Sequence, residues 1–574
     1  MFDNRTGEVM ADLLIDWDVN RIYGMPGNSI NEFMDDLRKK EDAINFVQIR
    51  HEEVGALAAS SYAKLTGKLG VCSSIAGPGG IHLLNGLYDA KKDRVPVLAI
   101  VGQVPSDDVG TDTHQEINLE RMFDGVAVYN RRAETATHLP DMLNTAIRMA
   151  YTHRSVSVLI VPDDLFAAKQ KQDKKKLTNR TLAASTPVPH QNNLQRAVQL
   201  IEAAEKPVIL AGKGAYGARE ALLEFAEKIN APIVLSLLGK GTIPDRHPLN
   251  LGQHGQIGTK PAFEAVMDTD LLLFIGTSFP YRGYLPDDVR SIQIEIMQDR
   301  VGGIYPVTEG LCGDTKEILP MLTERISEKE NTDFLETYQE KMKRWHAHVD
   351  DEKNKREGSL YGPQVIGAVE NNMQDDAVVS CDVGNVTVWT SRFLYLTRQH
   401  FLLSGGLATI GIGLPGAIAS QLAYPDKQVV AICGDGGFAQ VMQDFVTAVK
   451  YDLPIKVIIL NNSKIGMIKY EQQETGNVDY ETDLGAIDFA GFAENCGGEG
   501  HRVDKQADLD TTMQQAFLSA KPAIIDVVTE DMAPLPGKIT YDQAVSYGEF
   551  LIKDFFLNKK IEFPDPEKTL RRLF

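Results

Sequence analysis

Short apolar runs rich in β-branched residues recur along this chain: "LGVCSSIA", "VPVLAIVG", "SVSVLIVP", "KPVILAG", "APIVLSLL", "LLLFIG", "QVVAICG", "IKVIILNN" and "AIIDVVT". Amphipathic helical patterns separate them. Runs that are apolar on both faces read as buried parallel strands. Alternation of such strands with helices gives an α/β fold in which helices cover the sheets. At 574 residues the chain is too long for one core; at about 100–200 residues per domain, three to five are expected. Two polar stretches interrupt the alternation. One, 167–190, is rich in Lys, Thr and Pro and reads as a linker; the other, 340–364, is charged and reads as a helix followed by a linker. The expectation is three doubly wound parallel-sheet domains, 1–180, 188–335 and 345–530, and a tail from 531 to 574. The first and third blocks share a loose plan of apolar strands ending in Gly-rich turns, a weak sign of duplication.

Composition narrows the partners. With 43% hydrophobic and 24% charged residues the chain is of globular type. Its net charge of −20 disfavours nucleic acid, whose phosphates need clustered Lys and Arg. Five cysteines include no C-x-x-C pair, and Cys381 and Cys433 close apolar runs. Buried thiols in a reducing compartment are expected. The N-terminus lacks a signal pattern, and no run approaches ~18 apolar residues. A cytoplasmic location is the expectation.

The strongest local signal is "QVVAICGDGGFAQVMQDFVTAVKYDLPIKVIILNN", 428–462. A strand is expected to end at Cys433, Gly434-Asp435-Gly436-Gly437 to form a tight turn, and a helix to follow. Consecutive glycines such as Gly436 and Gly437 let backbone N–H groups approach a phosphate at a helix start. Asp435 beside a phosphate needs a cation between them, and Mg²⁺ is the natural one. Asn462 lies 27 positions after Asp435. Parallel strands joined by one crossover helix emerge side by side, so Asp435 and Asn462 can share a metal. In the middle block Gly212, Gly214 and Gly217 form G-x-G-x-x-G between a strand and a helix. The acidic residue that simple NAD binding needs about 20 positions further on is missing from "APIVLSLLGKG".

These motifs resemble those of the pyruvate oxidase and acetolactate synthase group of thiamine diphosphate enzymes. The resemblance covers essentially the whole chain, in the order pyrimidine-binding, middle and diphosphate-binding domain. It implies that Asp435, Asn462 and the Lys464 carbonyl ligate Mg²⁺, and that Ile410 in "LATIGIGLPGA" props the cofactor in its bent form. "YGMPGNSI" implies that Pro26 lies near the aminopyrimidine. "IAGPGGIHLLNGLYDA" and "GTDTHQEIN" imply Gly77 and Asn85 as cofactor neighbours and Gln115 at the active centre. Gly384 and Val383, in "CDVGNVT", match cofactor and substrate-pocket positions. The two halves of a site in this group come from different subunits, so a homodimer or tetramer is implied.

The resemblance also explains the middle block, since pyruvate oxidases hold FAD extended across such a domain. It implicates Gly214, Gly276, Thr277 and Asp314, with Glu295 in "IQIEIMQDR" placed to reach a ribose. Many relatives carry Asp-x-Asp-Pro there. Gln256 stands where some oxidases have a basic residue near the flavin.

The cofactor's aminopyrimidine must exchange a proton with a carboxylic acid in a mostly apolar pocket. "INFVQIRHEEVGALAA", 44–59, places Arg50-His51-Glu52-Glu53 where a strand hands over to a helix. The family pattern Arg-His-Glu selects Glu52 as the catalytic carboxylate. Glu53, rotated ~100° around a helix, is expected to face a neighbour or solvent as a bystander. "NNSKIGMIKYEQQ" implies Ile468 and Glu471 at the substrate pocket. Met467 stands where oxidases often have Phe and acetolactate synthases often have Met. His114 replaces the usual Phe; pairing with a substrate anion and a plain exposed imidazole stay open.

The resemblance implies oxidative decarboxylation of pyruvate, with electrons passing to FAD. The acceptor is then oxygen with phosphate, giving acetyl phosphate, CO₂ and peroxide, or a quinone, giving acetate. A carboligase of acetolactate synthase type, joining two 2-oxo acids, is the alternative. The tail element "APLPGKI" resembles the quinone-linked branch. Its aromatic-aliphatic run before Arg571-Arg572 reads as a peripheral membrane contact or as a packed helix.

Overall fold

The computed structural model describes residues 5–169, 186–356 and 358–532, together with Phe550 and Lys553. Expectations for the tail, Arg571-Arg572 included, and for most of the 167–190 linker fall outside the described residues. Three six-stranded sheets carry the fold, and all of their paired strands are parallel.

The first sheet contains β1 (Arg21–Gly24), β2 (Asn45–Gln48), β3 (Gly70–Ser74), β4 (Val97–Gln103), β5 (Ala127–Arg132) and β6 (Val156–Pro162), ordered β2-β1-β3-β4-β6-β5. The middle sheet contains β7 (Pro207–Ala211), β8 (Ile233–Leu235), β9 (Asn250–Gln253), β10 (Leu271–Ile275), β11 (Arg290–Glu295) and β12 (Glu309–Cys312), ordered β12-β11-β10-β7-β8-β9. The third contains β13 (Val378–Cys381), β14 (His400–Leu402), β15 (Val429–Gly434), β16 (Lys456–Asn461), β17 (Glu499–Val503) and β18 (Ala523–Val528), ordered β14-β13-β15-β16-β18-β17. The third order repeats the first strand for strand, so the shared plan extends from turns to topology. The middle order, counted from its other edge, is the 3-2-1-4-5-6 of dinucleotide-binding sheets.

The apolar runs become strands because both of their faces are covered. Every residue of β4, β6 and β10 is buried. In the first sheet, one layer packs Met10, Leu14, Phe33 and Phe166, and another packs Ala56, Leu83, Leu87 and Phe123. Each such large side chain contributes about 1.5–3 kcal/mol on burial. The charged stretch around 340–364 is helix Asp333–Asn354 and a short connection to helix Gly362–Asn372. Among the described residues no helix is long and apolar enough to cross a membrane.

Ligands of open α/β sheets lie outside the carboxyl ends of strands, where the strand order reverses. Here those points fall between β1 and β3, between β7 and β10, and between β13 and β15. Buried polar contacts also tie the three sheets to one another. Lys64 Nζ lies 2.6 Å from both the Asp89 and Asp93 carboxylates, which are fully buried. It also donates to the Leu403 carbonyl at 3.0 Å. Asp93 accepts from the N–H groups of Gly405 and Gly406 at 3.2 and 2.6 Å. Lys240 pairs with Asp245 at 2.7 Å and donates to the Ser391 carbonyl, tying the middle sheet to the third.

Candidate active site

At the first reversal point, β1 leads into Met25-Pro26-Gly27 and β3 into Ile75-Ala76-Gly77. Gly77 has φ +62°, and a Cβ there would meet the Gln115 carbonyl oxygen at 2.7 Å, so only glycine fits. Asn28 Nδ2 donates to Gln115 Oε1 at 2.9 Å. Pro26, Gly77 and Gln115 are thus gathered at one sheet end, while His114 stands exposed beside them.

Glu52 opens helix Glu52–Thr66 and is 7% exposed. A hydrogen bond of 2.9 Å joins its Oε2 to His82 Nδ1. The His82 ring stacks on His51, with centroids 4.4 Å apart. The pocket is therefore less apolar than expected, because an imidazole reaches the carboxylate. Glu53 is not a bystander: its Oε1 accepts from Asn85 Nδ2 at 2.5 Å. Asn85 Nδ2 also donates to Thr409 Oγ1 at 2.8 Å, in the loop that carries half-buried Ile410.

At the third reversal point the expected tight turn is absent. Strand β15 runs through extended Gly434 straight into helix Asp435–Val441, because Asp435 already has helical geometry. Asp435 Oδ1 accepts from the Gly436 N–H at 2.9 Å. Its Oδ2 is buried without a hydrogen-bond partner. Burial pushes this carboxyl up to about 6, opposed by N–H groups of Gly436, Ser463 and Lys464. Gly434 pairs with Leu460 of β16, so Asp435 and Asn462 leave neighbouring strands on the same side. Among the described residues no three His, Cys, Asp or Glu form a metal cluster. The expected donor set of one carboxylate, one amide and one carbonyl consists of the hard oxygens that Mg²⁺ takes when phosphates complete its shell. An orphaned carboxylate oxygen in this position fits that ion.

Val383 and Gly384 follow β13 and are half-buried; Gly384 has φ +122° with open space where a Cβ would stand. Ile468 is 45% exposed, and Glu471 is exposed too, on helix Gly466–Glu474 beyond the end of β16. Among the described residues no hydrogen bond or ion pair joins Glu52 to 435–464.

At the middle reversal point two turns meet backbone to backbone. The Gly214 N–H donates to the Gly276 carbonyl at 3.0 Å. Gly276 has φ +61°, and a Cβ on it would lie 2.5 Å from the Gly214 carbonyl carbon. Thr277 is buried beside them. Glu295, buried at the end of β11, accepts from Ser278 Oγ at 3.2 Å and lies 4.0 Å from Arg94 of the first sheet. Asp314 Oδ1 accepts from the Lys316 N–H at 2.9 Å and caps helix Thr315–Thr323.

Three family models match the chain in succession. They are the thiamine pyrophosphate enzyme N-terminal TPP binding domain at 4–122, the central domain at 194–322 and the C-terminal TPP binding domain at 382–527. The chain is 50% identical to the protein YdaP of Bacillus subtilis (strain 168), over all of both chains. It is 37% identical to the pyruvate oxidase of Lactiplantibacillus plantarum, over 94% of this chain and 91% of that one. It is 32% identical to the acetolactate synthase large subunit of Corynebacterium glutamicum, over 90% of this chain and 85% of that one.

The chain belongs to the thiamine pyrophosphate enzyme family.

As a thiamine pyrophosphate enzyme it carries cofactor-binding domains at both ends, and these are the two sheets of identical strand order. Sequence reading overlooks two polar groups of this site. His82 lies inside the segment read for Gly77 and Asn85, but nothing local says that its ring returns to Glu52. Asp382 directly follows the run "AVVSC" and precedes Val383; a carboxylate just past an apolar strand was the available signal. Burial pushes its carboxyl up to about 7.

Proposed function

We propose that this thiamine diphosphate-dependent enzyme is a pyruvate oxidase. It oxidatively decarboxylates pyruvate and passes electrons to FAD, then to oxygen with phosphate or to a quinone. The observation that carries the reading is the middle sheet: it has the dinucleotide strand order, and its reversal point holds a contact between Gly214 and Gly276 that no side chain could share. Greater identity to the pyruvate oxidase than to the synthase supports it.

Bound thiamine diphosphate supplies the electron sink for loss of CO₂ from a 2-oxo acid. Glu52 Oε holds the proton exchanged with the aminopyrimidine, and His82 keeps that carboxylate oriented. Pro26, Gly77 and Asn85 line the pyrimidine half. Asp435, Asn462 and the Lys464 carbonyl hold Mg²⁺, and the backbone at Gly384, Gly436 and Gly437 faces the diphosphate. Ile410 would prop the bound cofactor in its bent form. Gln115, Val383, Ile468, Glu471 and His114 surround the substrate. Gly214, Gly276, Thr277, Glu295 and Asp314 hold FAD. In this reading the domains divide at 1–180, 188–335 and 345–530. Each site is completed by a second copy of the chain, with exposed Met25 and Ile81 on one half and Ile465, Ile468, Tyr480 and Ile487 on the other.

Met467 and the synthase relatives favour a second reading, a carboligase that joins two 2-oxo acids. One experiment separates them. Purified protein receives pyruvate, Mg²⁺, thiamine diphosphate, FAD and inorganic phosphate, under oxygen or with a quinone analogue, while peroxide, acetyl phosphate, acetate, acetolactate and flavin reduction are followed. The oxidase reading expects flavin reduction with acetyl phosphate or acetate. Acetolactate as the main product, with the flavin never reduced, overturns it.

A further inference from the structure

Asp382 stands directly after β13 and is wholly buried. Its Oδ1 accepts from the N–H groups of Val383 and Gly411, each at 2.8 Å. Gly411 follows Ile410, so this carboxyl grips the loop on which Ile410 is mounted. The other oxygen, Oδ2, is buried without a hydrogen-bond partner. It lies only 2.5 Å from where a Cβ on Gly437 would be. The carboxyl therefore fills the space beneath the second glycine of the Gly436-Gly437 pair. Helix Gly413–Ala423 begins two residues past Gly411, so the acid also lies at that helix start, where negative charge is favoured.

We propose that Asp382 is a positioning residue of the thiamine diphosphate site, holding the Ile410 loop in register with Gly437; this rests on the cofactor reading proposed above. One oxygen accepts from the loop's Gly411 N–H, and the other occupies the space where a Cβ on Gly437 would stand. Without it, the loop loses the acceptor for its Gly411 N–H, and the space beneath Gly437 is left unfilled. A carboxyl that merely capped the helix would affect stability and leave the cofactor affinity of folded protein unchanged.

The test uses the full chain and titrates thiamine diphosphate with Mg²⁺ into wild type, Asp382→Asn and Asp382→Ala by calorimetry, with melting curves alongside. Asp382→Asn keeps the Oδ1 acceptor and is expected to bind within about threefold of wild type. Asp382→Ala is expected to bind about 10- to 100-fold more weakly while still melting cooperatively, the loss usual when an outer partner of a ligand-binding group is removed. Should Asp382→Ala fail to fold, Asp382→Ser, too short to reach both N–H groups, replaces it with the same expectation. Folded Asp382→Ala or Asp382→Ser that binds as tightly as wild type overturns the proposal alone. Wild type that binds no thiamine diphosphate overturns the cofactor reading and this proposal with it.

Discussion

Between the first and third sheets the strand order is the same, yet the acids stand at different junctions. In the first sheet the reversal point is built from glycine and proline turns, and the carboxylate Glu52 follows the outer strand β2. In the third, both strands at the reversal point end in acids, Asp382 after β13 and Asp435 after β15. The counterpart of β2 is β14, and it leads into the Ile410 loop rather than to an acid. The helices that follow β2 and β14 pack together: Val54 lies among Leu414, Ala417 and Ile418, and Ala419 joins the cluster of Ala56 and Ala59. One frame used twice has thus divided its chemistry. One copy presents a carboxylate beside an imidazole, suited to moving a proton, and the other presents hard oxygens beside helix-start N–H groups, suited to a metal and phosphates.

Glu52 gives the hardest blow to this division. Glu52→Gln should lower turnover of pyruvate by about 10²–10⁴-fold, the usual worth of a positioned acid or base. Steady-state assays check this, with circular dichroism showing the fold intact. Retention of most activity would place the proton elsewhere.

Its counterpart is Asp435→Asn. The Mg²⁺ concentration needed for half-maximal activity should rise by about 100-fold or more, above the range seen for outer partners of ligands. Glu52→Gln should leave that concentration unchanged; if both variants raise it, the two copies are not specialised as described.

The third effect falls on the joint between the copies. Lys64→Met leaves the Asp89 and Asp93 carboxylates buried and without their shared cation, and Asp93 still bound to the 405–406 backbone. Breaking a buried pair this way costs about 3–5 kcal/mol. A lower urea midpoint with unchanged slope would show it.

A pH series sharpens the contrast further. Burial raises the Asp382 carboxyl to about 7 and the Asp444 carboxyl to about 6. The native state then holds protons that the unfolded chain, with carboxyls near ~3.9, has released. Stability of protein without metal or cofactor should therefore fall as pH rises from roughly 4 to 7. Asp382→Asn should flatten that slope in melting experiments, and a slope unchanged by the substitution counts against the assignment.

Lys464→Ala is expected to do least. Its Nζ pairs with Asp483 at the surface, while its proposed metal donor is the carbonyl, which alanine keeps. Mg²⁺ affinity should stay within about twofold, since exposed pairs contribute little.

Much of this was legible before any folding. All nine apolar runs are strands, since a strand covered on both faces shows no alternation to misread. Gly77 and Gly276 are glycines where a positive φ and a close backbone leave no room for a side chain. Strands β1, β5, β9, β11, β12, β14 and β17 escaped, because each is short, polar or at a sheet edge.

The sequence by itself determined the strands that are covered on both faces, and where glycines and acids stand at their ends. These follow from periodicity, side-chain bulk and backbone freedom within a few residues. Tertiary structure alone decided the order of strands within each sheet, and with it which ends lie together. It also set Glu52 against His82, Glu53 against Asn85, Asp93 against Gly406 and Asp382 beneath Gly437. Their partners lie 30 to 313 residues apart in the hydrogen-bonded pairs. Such contacts depend on packing and burial, which no local pattern encodes.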